Sequence, residues 1–216
     1  TAQSRQLAAT SRLQLAADPE LSILLSRQAL ATADTLDADA ALRQATYESM
    51  VRFALREKDP VDDASYSPDG RSVVTGDASG NLRLWTPGGA PARTIATGQG
   101  TVEAIEFSPD GATIASAGGD GTVRLWSATG EPGAVLRGHK GVVTAIAFTP
   151  DGGTLVSGGE DGTVRIWRLA DRTAHVIRAS DGSINGVAVS PDGRRMASGG
   201  DDSLVRLRTI GGGRAP

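Results

Sequence analysis

The chain has 216 residues, a formal net charge of −3 and no cysteine. The slightly acidic balance gives no sign of a nucleic-acid-binding surface, and the lack of cysteine excludes disulfides, a thiol nucleophile and thiolate metal sites. No apolar run is long enough to span a bilayer and no signal-peptide pattern opens the chain, so we expect a cytoplasmic location, although the parent protein can be membrane-anchored. The first residue is Thr1 and not Met, which predicts a piece of a longer protein.

Residues 1–53 predict an α-helical segment of two to three helices, because they are poor in glycine and rich in Ala, Leu, Gln and Arg. Asp18 as N-cap and Pro19 at the first helical position mark the start of the second helix. We expect apolar faces on Leu7, Leu13 and Leu15 in the first helix, on Leu21, Leu24 and Leu25 in the second, and on Leu42, Ala45, Met50 and Phe53 in the third. The repeat of about 34 residues that a peptide-binding helical array needs is absent, so a helical hairpin or cap is favoured.

From residue 61 the chain repeats with a period of 41 residues and with no insertion or deletion. A Ser/Thr-Pro-Asp-Gly motif recurs in four copies, and a tryptophan recurs in three, with Arg208 at the fourth position. The motifs begin at Ser67, Ser108, Thr149 and Ser190, and the tryptophans are Trp85, Trp126 and Trp167.

Each copy predicts three or four antiparallel strands. In the third copy we expect strands at Val143–Phe148 and Thr154–Ser157, a third ending at Trp167 and a weaker fourth near Ala174–Arg178, joined by Pro-Asp-Gly and Asp-Gly turns. This number of strands per repeat is one blade of a β-propeller. The blades are expected at about 61–97, 101–138, 142–179 and 183–208, followed by a Gly-rich tail at 209–216.

At these residues the sequence resembles the WD40 repeat family, through its period, "SPDG", "DGTVRLW" and Gly138-His139. The acid that follows tryptophan in the family is replaced by Thr86, Ser127 and Arg168. The resemblance covers residues 61 to about 208. It implies a mainly β fold, a partial WD40 propeller of about four blades, and a non-catalytic protein–protein interaction scaffold or sensor that binds a protein or peptide.

The helical segment is similar to the stretch that precedes the propeller in bacterial WD40 proteins, through "SRQLAA", "DPELSILL" and "DADAALRQA". Many of those proteins are STAND-type signalling NTPases. The alternative function is therefore the regulatory or sensing arm of a larger signalling enzyme whose catalytic domain lies upstream. A phosphate-binding loop encoded upstream of Thr1 would distinguish the two.

In WD40 blades a His, a Ser or Thr, an Asp and the Trp form a hydrogen-bonded tetrad. Carried over to this sequence, the resemblance implies a complete tetrad in the third blade only. Its members are His139, Ser157, Asp161 and Trp167; the second blade has Ser116, Asp120 and Trp126 with Gly98 at the His position, the first has Glu57, Thr75, Ser79 and Trp85, and the fourth has Ser180, Ser198 and Asp202 with Arg208 for Trp.

The same Ser, His and Asp are the residue types of a hydrolase triad. Ser and Asp recur in blades without His, and no Gly-x-Ser-x-Gly elbow occurs in the sequence. A serine whose hydroxyl is hydrogen-bonded to a tryptophan indole is also expected to be buried and not presented to a substrate. We therefore predict a structural clamp and no enzymatic activity.

Other candidate sites are weaker. "GAVLRGHK" (133–140) departs from a phosphate-binding loop because His139 stands where Lys is required. Two histidines without cysteine make zinc improbable, and the "PDG" turns lack the spaced carboxylates of a calcium loop. We expect no cofactor and no metal. The arginines two residues before each Trp position are expected along the blade faces as a repeat feature; they are Arg83, Arg124, Arg165 and Arg206.

By analogy with the family, the partner-binding rim comprises nine positions, four of them acidic and none basic. They are Asp62, Thr101, Glu103, Val142, Thr144, Glu160, Ser183, Asn185 and Asp201. This composition predicts a basic peptide or surface as partner, with binding weakened by salt. Ordinary solvated loop charges explain the composition equally well.

Four blades fall short of the seven with which WD40 propellers usually close. We therefore expect an open arc or a fragment completed by a partner, prone to self-association through its terminal blades. "RFALR" (Arg52–Arg56) can serve as an outer strand for a last blade.

Overall fold

The computed structural model describes residues 2–14, 19–32, 36–50, 57–86 and 91–211. The chain divides into two compact units, Thr1–Arg56 and Glu57–Pro216.

The described residues of the first unit form three helices, α1 (Ala2–Gln14), α2 (Pro19–Thr32) and α3 (Leu36–Met50). Its core consists of small residues, and of the predicted apolar positions Leu7 packs against it. Leu24 is 61% exposed and Leu13 is exposed as well, whereas the buried positions are Ala8, Ala29, Ala38 and Ala41 with Ser4, Ser11, Ser22 and Ser26.

The expected leucine faces of α1 and α2 are therefore wrong at these two positions, for a reason that lies in the helix contact. Ser11 Oγ lies 2.6 Å from Ser26 Oγ and 3.0 Å from Ser22 Oγ, so α1 and α2 are joined by buried hydroxyls. Small side chains let two helix backbones approach closely, and the hydroxyls satisfy one another there. Asp18, Leu15 and Phe53 lie outside the described residues.

The described residues of the second unit form fifteen strands in four antiparallel sheets, which we call blades one to four. Blade one is β1 (Val61–Tyr66), β2 (Val73–Asp77), β3 (Asn81–Trp85) and β4 (Pro91–Ala96); blade two is β5 (Val102–Phe107), β6 (Thr113–Gly118), β7 (Thr122–Ser127) and β8 (Pro132–Arg137); blade three is β9 (Val143–Phe148), β10 (Thr154–Gly159), β11 (Thr163–Arg168) and β12 (Thr173–Arg178); blade four is β13 (Ile184–Val189), β14 (Arg195–Gly200) and β15 (Val205–Thr209).

Within each blade the strands pair in chain order, each with the next. Each Pro-Asp-Gly turn places its glycine at positive φ, from +68° to +71°, a region that side chains with a Cβ rarely adopt. The following turn has glycine at positive φ in blades one to three. Ser203 takes that position in blade four at φ +62°.

Each blade packs one face against the next blade, with β1 beside β5, β5 beside β9 and β9 beside β13. The apolar clusters follow these junctions: one joins Val74 and Leu82 to Phe107 and Trp126, and another joins Val123 and Leu136 to Leu155 and Trp167. A third cluster lies between blades three and four. The core is therefore a series of sandwiched junctions.

Side chains on the first strand of a blade, which we call its inner strand, also accept hydrogen bonds from backbone N–H groups of the next blade. Asp63 accepts from the N–H of Ile105 at 2.7 Å, and Glu106 accepts from the N–H of Phe148 at 2.8 Å. These N–H groups lie on the free edge of the inner strands. Neither carboxylate is predictable from the sequence, because nothing in the repeat pattern marks them.

The outer face of blade four is exposed, with Val205 75% and Leu207 72% accessible to solvent. The equivalent Val164 of blade three is fully buried by blade four. The described part of the chain is thus mainly β and forms a partial propeller, which confirms the predicted fold class. Residues 52–56, the predicted extra strand, and most of the Gly-rich tail lie outside the described residues. None of the three described helices is both long and apolar enough to cross a membrane.

Candidate functional site

Blade three joins the four tetrad side chains through hydrogen bonds. The Trp167 indole N–H donates to Ser157 Oγ at 2.8 Å, and Ser157 Oγ lies 2.8 Å from His139 Nε2. His139 Nδ1 lies 3.1 Å from Asp161 Oδ1. A carboxylate only accepts, so Nδ1 carries the proton and Nε2 accepts the Ser157 hydroxyl proton. All four groups are satisfied in one chain.

The electrostatics of blade three favour a neutral imidazole. Burial lowers the pKa of His139, although the Asp161 carboxylate opposes this. Burial raises the pKa of Asp161, but hydrogen bonds from the Thr163 side chain and from the N–H of Lys140 outweigh burial and hold that pKa below its usual range. Ser157 is fully buried and already accepts from an indole, so it is not presented to a substrate.

Blade two closes its hydrogen-bond chain with a residue that the sequence comparison missed. Gly98 was expected to leave the His position empty. Gln99 fills it instead: its Oε1 accepts from Ser116 Oγ at 2.6 Å, and Ser116 accepts from the Trp126 indole at 2.9 Å.

The loop conformation explains the substitution. Gly98 and Gly100 both have positive φ, which turns the intervening side chain inward. Gln99 is completely buried, and its amide nitrogen donates to the carbonyl oxygen of Thr122 at 2.9 Å. Asp120 does not join this chain. It accepts from Thr122 and forms an ion pair with Arg124 at 2.9 Å.

Blade one uses a carboxylate in the same place. The Trp85 indole donates to Thr75 Oγ1 at 2.9 Å, and Thr75 donates to Glu57 Oε1 at 2.7 Å. Glu57 also pairs with Arg83. Ser79 takes no part; its backbone N–H donates to Asp77.

In blade four the chain is incomplete within the described residues. Ser198 is 3% exposed, and its Oγ has no hydrogen-bond partner there. The Ser180 side chain bonds Asp202, which also pairs with Arg206 at 2.7 Å, but neither residue reaches Ser198. Arg208, in place of Trp, is exposed.

The arginines two residues before each Trp position lie along the blades, as expected. Their guanidinium groups bind either the loop before the inner strand or the turn that follows the second strand. Arg124 donates to the carbonyl oxygens of Thr97 and Gly98, and Arg165 donates to that of Gly138 at 2.6 Å.

Four of the nine rim positions share a structural feature that the sequence did not predict. Each blade has a β-bulge at the start of its inner strand, where one extra residue interrupts the ladder. Bulges re-aim side chains and are frequent beside functional sites. The four extra residues are Asp62, Glu103, Thr144 and Asn185, all of them among the expected rim positions.

The rim differs between its two halves. In blades three and four the side chains bind within the chain: Thr144 donates to the carbonyl oxygens of Gly158 and Ile184, and Asn185 donates to Asp201 at 2.7 Å. Glu160 accepts from the N–H of Val142, and Asp201 from that of Ser183.

In blades one and two the rim is acidic. Burial raises the pKa of Asp62, and repulsion from the Glu103 and Asp77 carboxylates raises it further. Asp62 of blade one therefore lies close enough to Glu103 of blade two for the two negative charges to repel each other. Thr101 donates to Glu103 at 2.6 Å. Among the described residues neither Asp62 nor Glu103 forms an ion pair with Lys or Arg.

The family model "WD domain, G-beta repeat" matches the chain four times, at residues 52–86, 89–127, 130–168 and 171–208. No curated protein matches the sequence. The family match leaves residues 1–51 uncovered, so the similarity of the helical segment to STAND-type proteins stays a prediction.

Proposed function

Because the chain belongs to the WD40 repeat family, whose repeats generally mediate protein–protein interactions, we propose that it is a non-catalytic protein-binding scaffold or sensor module. In this proposal residues 61–208 carry the binding surface, and residues 1–53 form a separate helical domain. The tetrad side chains, Ser157 among them, have a structural role.

The binding surface that we propose is the bulged rim of blades one and two. Its acidic bulge residues, Asp62 and Glu103, repel each other and lack a basic partner within the described residues. A lysine or arginine from a partner would relieve this repulsion. The rim of blades three and four is less suited, because its polar side chains already bind within the chain. The partner is therefore a basic peptide or protein surface.

The experiment compares two double variants with the same change of charge. Asp62→Asn with Glu103→Gln removes the two bulge carboxylates of blades one and two. Glu131→Gln with Asp171→Asn removes two acids from the turns between the third and fourth strands, which the antiparallel order places at the opposite end of the blades. A hexalysine peptide serves as the probe in calorimetric titrations at low and high salt.

We expect the rim variant to bind the probe about fivefold more weakly and to lose most of the salt dependence, while the turn variant behaves as the wild type. Equal weakening by both variants would reduce the effect to net charge and contradict a rim site. Absence of enzymatic activity is tested separately: ester hydrolysis that Ser157→Ala abolishes would contradict the structural role.

A further inference from the structure

Strand β15 of blade four has a neighbour on one side only. Among the described residues it pairs with β14 alone, whereas the third strand of each other blade pairs with both the second and the fourth strand. In blade three the carbonyl oxygen of Gly162 accepts a bond from the fourth-strand side, so by alternation the backbone groups of Val164 and Ile166 also face β12. The equivalent groups of Val205 and Leu207, two exposed residues, face no described strand.

The other three blades show which side chain an added strand needs on the outer face. An unpaired strand edge can accept a further strand, and proteins recognise extended segments in this way. Opposite the position equivalent to Val205, the fourth strand has a large aliphatic residue in each of these blades, namely Ile95, Leu136 and Ile177. Each of the three packs in the apolar cluster of its junction. An added strand therefore needs leucine or isoleucine opposite Val205.

The other face of β15 carries two arginines. Arg206 pairs with Asp202 at 2.7 Å, whereas Arg208 is exposed and forms no ion pair with the described residues. Opposite charges directly across a ladder attract each other, so a carboxylate opposite Arg208 would supply the missing counter-charge. In the register that joins β11 to β12, this carboxylate comes three residues before the aliphatic residue.

A second copy of β15 is a poor occupant of this edge. Antiparallel pairing of two β15 strands centred on Leu207 places Arg206 opposite Arg208, and pairing centred on either arginine places it opposite its own copy. Like charges directly opposite each other destabilise a ladder. The chain's own Pro216 is no better suited, because the repeat places it opposite Leu207 and it has no N–H to donate there.

We propose that the edge of β15 binds an extended, acidic segment of a partner protein by strand addition. The segment has Asp or Glu opposite Arg208 and, three residues later, Leu or Ile opposite Val205. Its backbone supplies the fourth strand of blade four. This site lies on another blade than the acidic rim of blades one and two, and it does not depend on the function proposed for that rim.

The test uses the full chain and the acetylated, amidated hexapeptide Thr-Glu-Thr-Val-Ile-Thr, followed by two-dimensional amide NMR. In the register of β12 the glutamate of this probe lies opposite Arg208 and its isoleucine opposite Val205. We expect shifts and slower hydrogen exchange at the amides of Val205, Leu207 and Thr209. Shifts that are absent or that spare these amides would overturn the proposal. Protection of these amides in the free chain would show that the edge is already occupied and would overturn it as well.

Two N-methylated probes separate backbone pairing from side-chain contacts. N-methylation of the isoleucine removes an N–H that faces β15, whereas N-methylation of the valine removes one that faces away from it. We expect the first probe to bind about tenfold more weakly than the second. Equal affinities of the two would contradict strand addition.

An exchange of charges tests the acidic character of the partner. Arg208→Glu should weaken binding of the glutamate probe about fivefold, and a probe with lysine in place of glutamate should restore it. Arg71→Glu, the same change of charge at an exposed turn of blade one, is the control and should leave the affinity for both probes unchanged. A loss of binding in Arg208→Glu that the lysine probe does not restore would sink the idea.

Discussion

Blades three and four have the same strand register but different interiors. Blade three has a complete hydrogen-bond chain from Trp167 to Asp161 and is covered by the next blade. Blade four has an unpartnered Ser198 and an exposed outer face. Its three strands nevertheless pair in the same way. Strand pairing is therefore encoded within the repeat, by turns and alternation, whereas the hydrogen-bond chain adds stability to a sheet that forms without it.

The largest expected difference between the two blades is at the central serine. Ser157→Ala should destabilise the chain by about 3 kcal/mol, because it leaves the buried indole N–H and imidazole without their partner. Ser198→Ala should be neutral or stabilising by about 1 kcal/mol, because it removes a buried hydroxyl without a partner. Denaturant unfolding of both variants checks this. Equal losses would mean that the hydrogen-bond chain is not what distinguishes the blades.

The glycine that follows the serine provides the next comparison. A Cβ at Gly158 would lie 3.0 Å from Ile184 Cβ and 3.1 Å from Val187 Cγ1, so Gly158→Ala should cost about 2 kcal/mol by overpacking the junction. At Gly199 the nearest atom, Val205 Cγ2, is 4.0 Å away. Gly199→Ala should therefore be tolerated. A similar fall in the thermal midpoint for both would show that the outer face of blade four is covered in solution.

Glu106, at the junction of blades two and three, should lower stability as pH rises, whereas the lowered pKa of buried His139 acts in the opposite direction. Burial raises the pKa of Glu106 to about 7, and repulsion by Asp63 adds to this, while the N–H of Phe148 opposes it. The folded chain then binds more protons than the unfolded chain between the ordinary pKa of glutamic acid and about pH 7. The contribution of Glu106 to the free energy of unfolding should accordingly fall as pH rises through this window, by about 1.5 kcal/mol after screening by solvent.

Glu106→Gln should remove that fall, so the free energy of unfolding of the variant should rise with pH relative to that of the wild type, in the direction that His139 sets. At the junction of blades three and four the equivalent position is Ala147, so no such group titrates there. Chemical unfolding at pH 5 and pH 7.5 measures the difference. An identical slope in the wild type and the variant would assign the pH dependence to other groups.

The smallest expected effect concerns the turn after the second strand. Ser203 has φ +62°, where blades one to three have glycine, so Ser203→Gly should stabilise blade four by about 0.5 kcal/mol. The reverse change in blade three, Gly162→Ser, should destabilise, because a Cβ there lies 2.5 Å from the carbonyl oxygen of Ser180. A loss of stability in Ser203→Gly would contradict the assigned strain.

The repeat made most of the β fold predictable. The fixed period locates the turns, and the positive φ of the Pro-Asp-Gly glycines follows from steric limits alone. Arg208, at the fourth tryptophan position, also predicts which blade lacks an indole in its hydrogen-bond chain. Counting 41 residues from one repeat to the next does not find the equivalent residue where the backbone conformation differs between repeats. Gln99, one position after the expected Gly98, reaches Ser116 because the two glycines beside it turn its loop.

The helical unit was less predictable. Leucine and alanine at helical spacing fit more than one face, and the choice of Ala29 and Ser26 over Leu24 depends on how closely the helices approach. Asp62 was predicted as a rim position from the family resemblance, but its proximity to Glu103 is a property of two neighbouring blades. Such contacts between repeats are not visible in the period of a single repeat.

The replacement of the fourth tryptophan by Arg208 has a spectroscopic consequence. Blades one to three each contain one tryptophan, and all three are buried. Tryptophan fluorescence therefore reports on those blades and not on the fourth. Far-ultraviolet circular dichroism reports on every strand. If blade four melts first, the dichroism transition will begin at a lower temperature than the emission transition, and the gap between the two curves will isolate the behaviour of a single repeat.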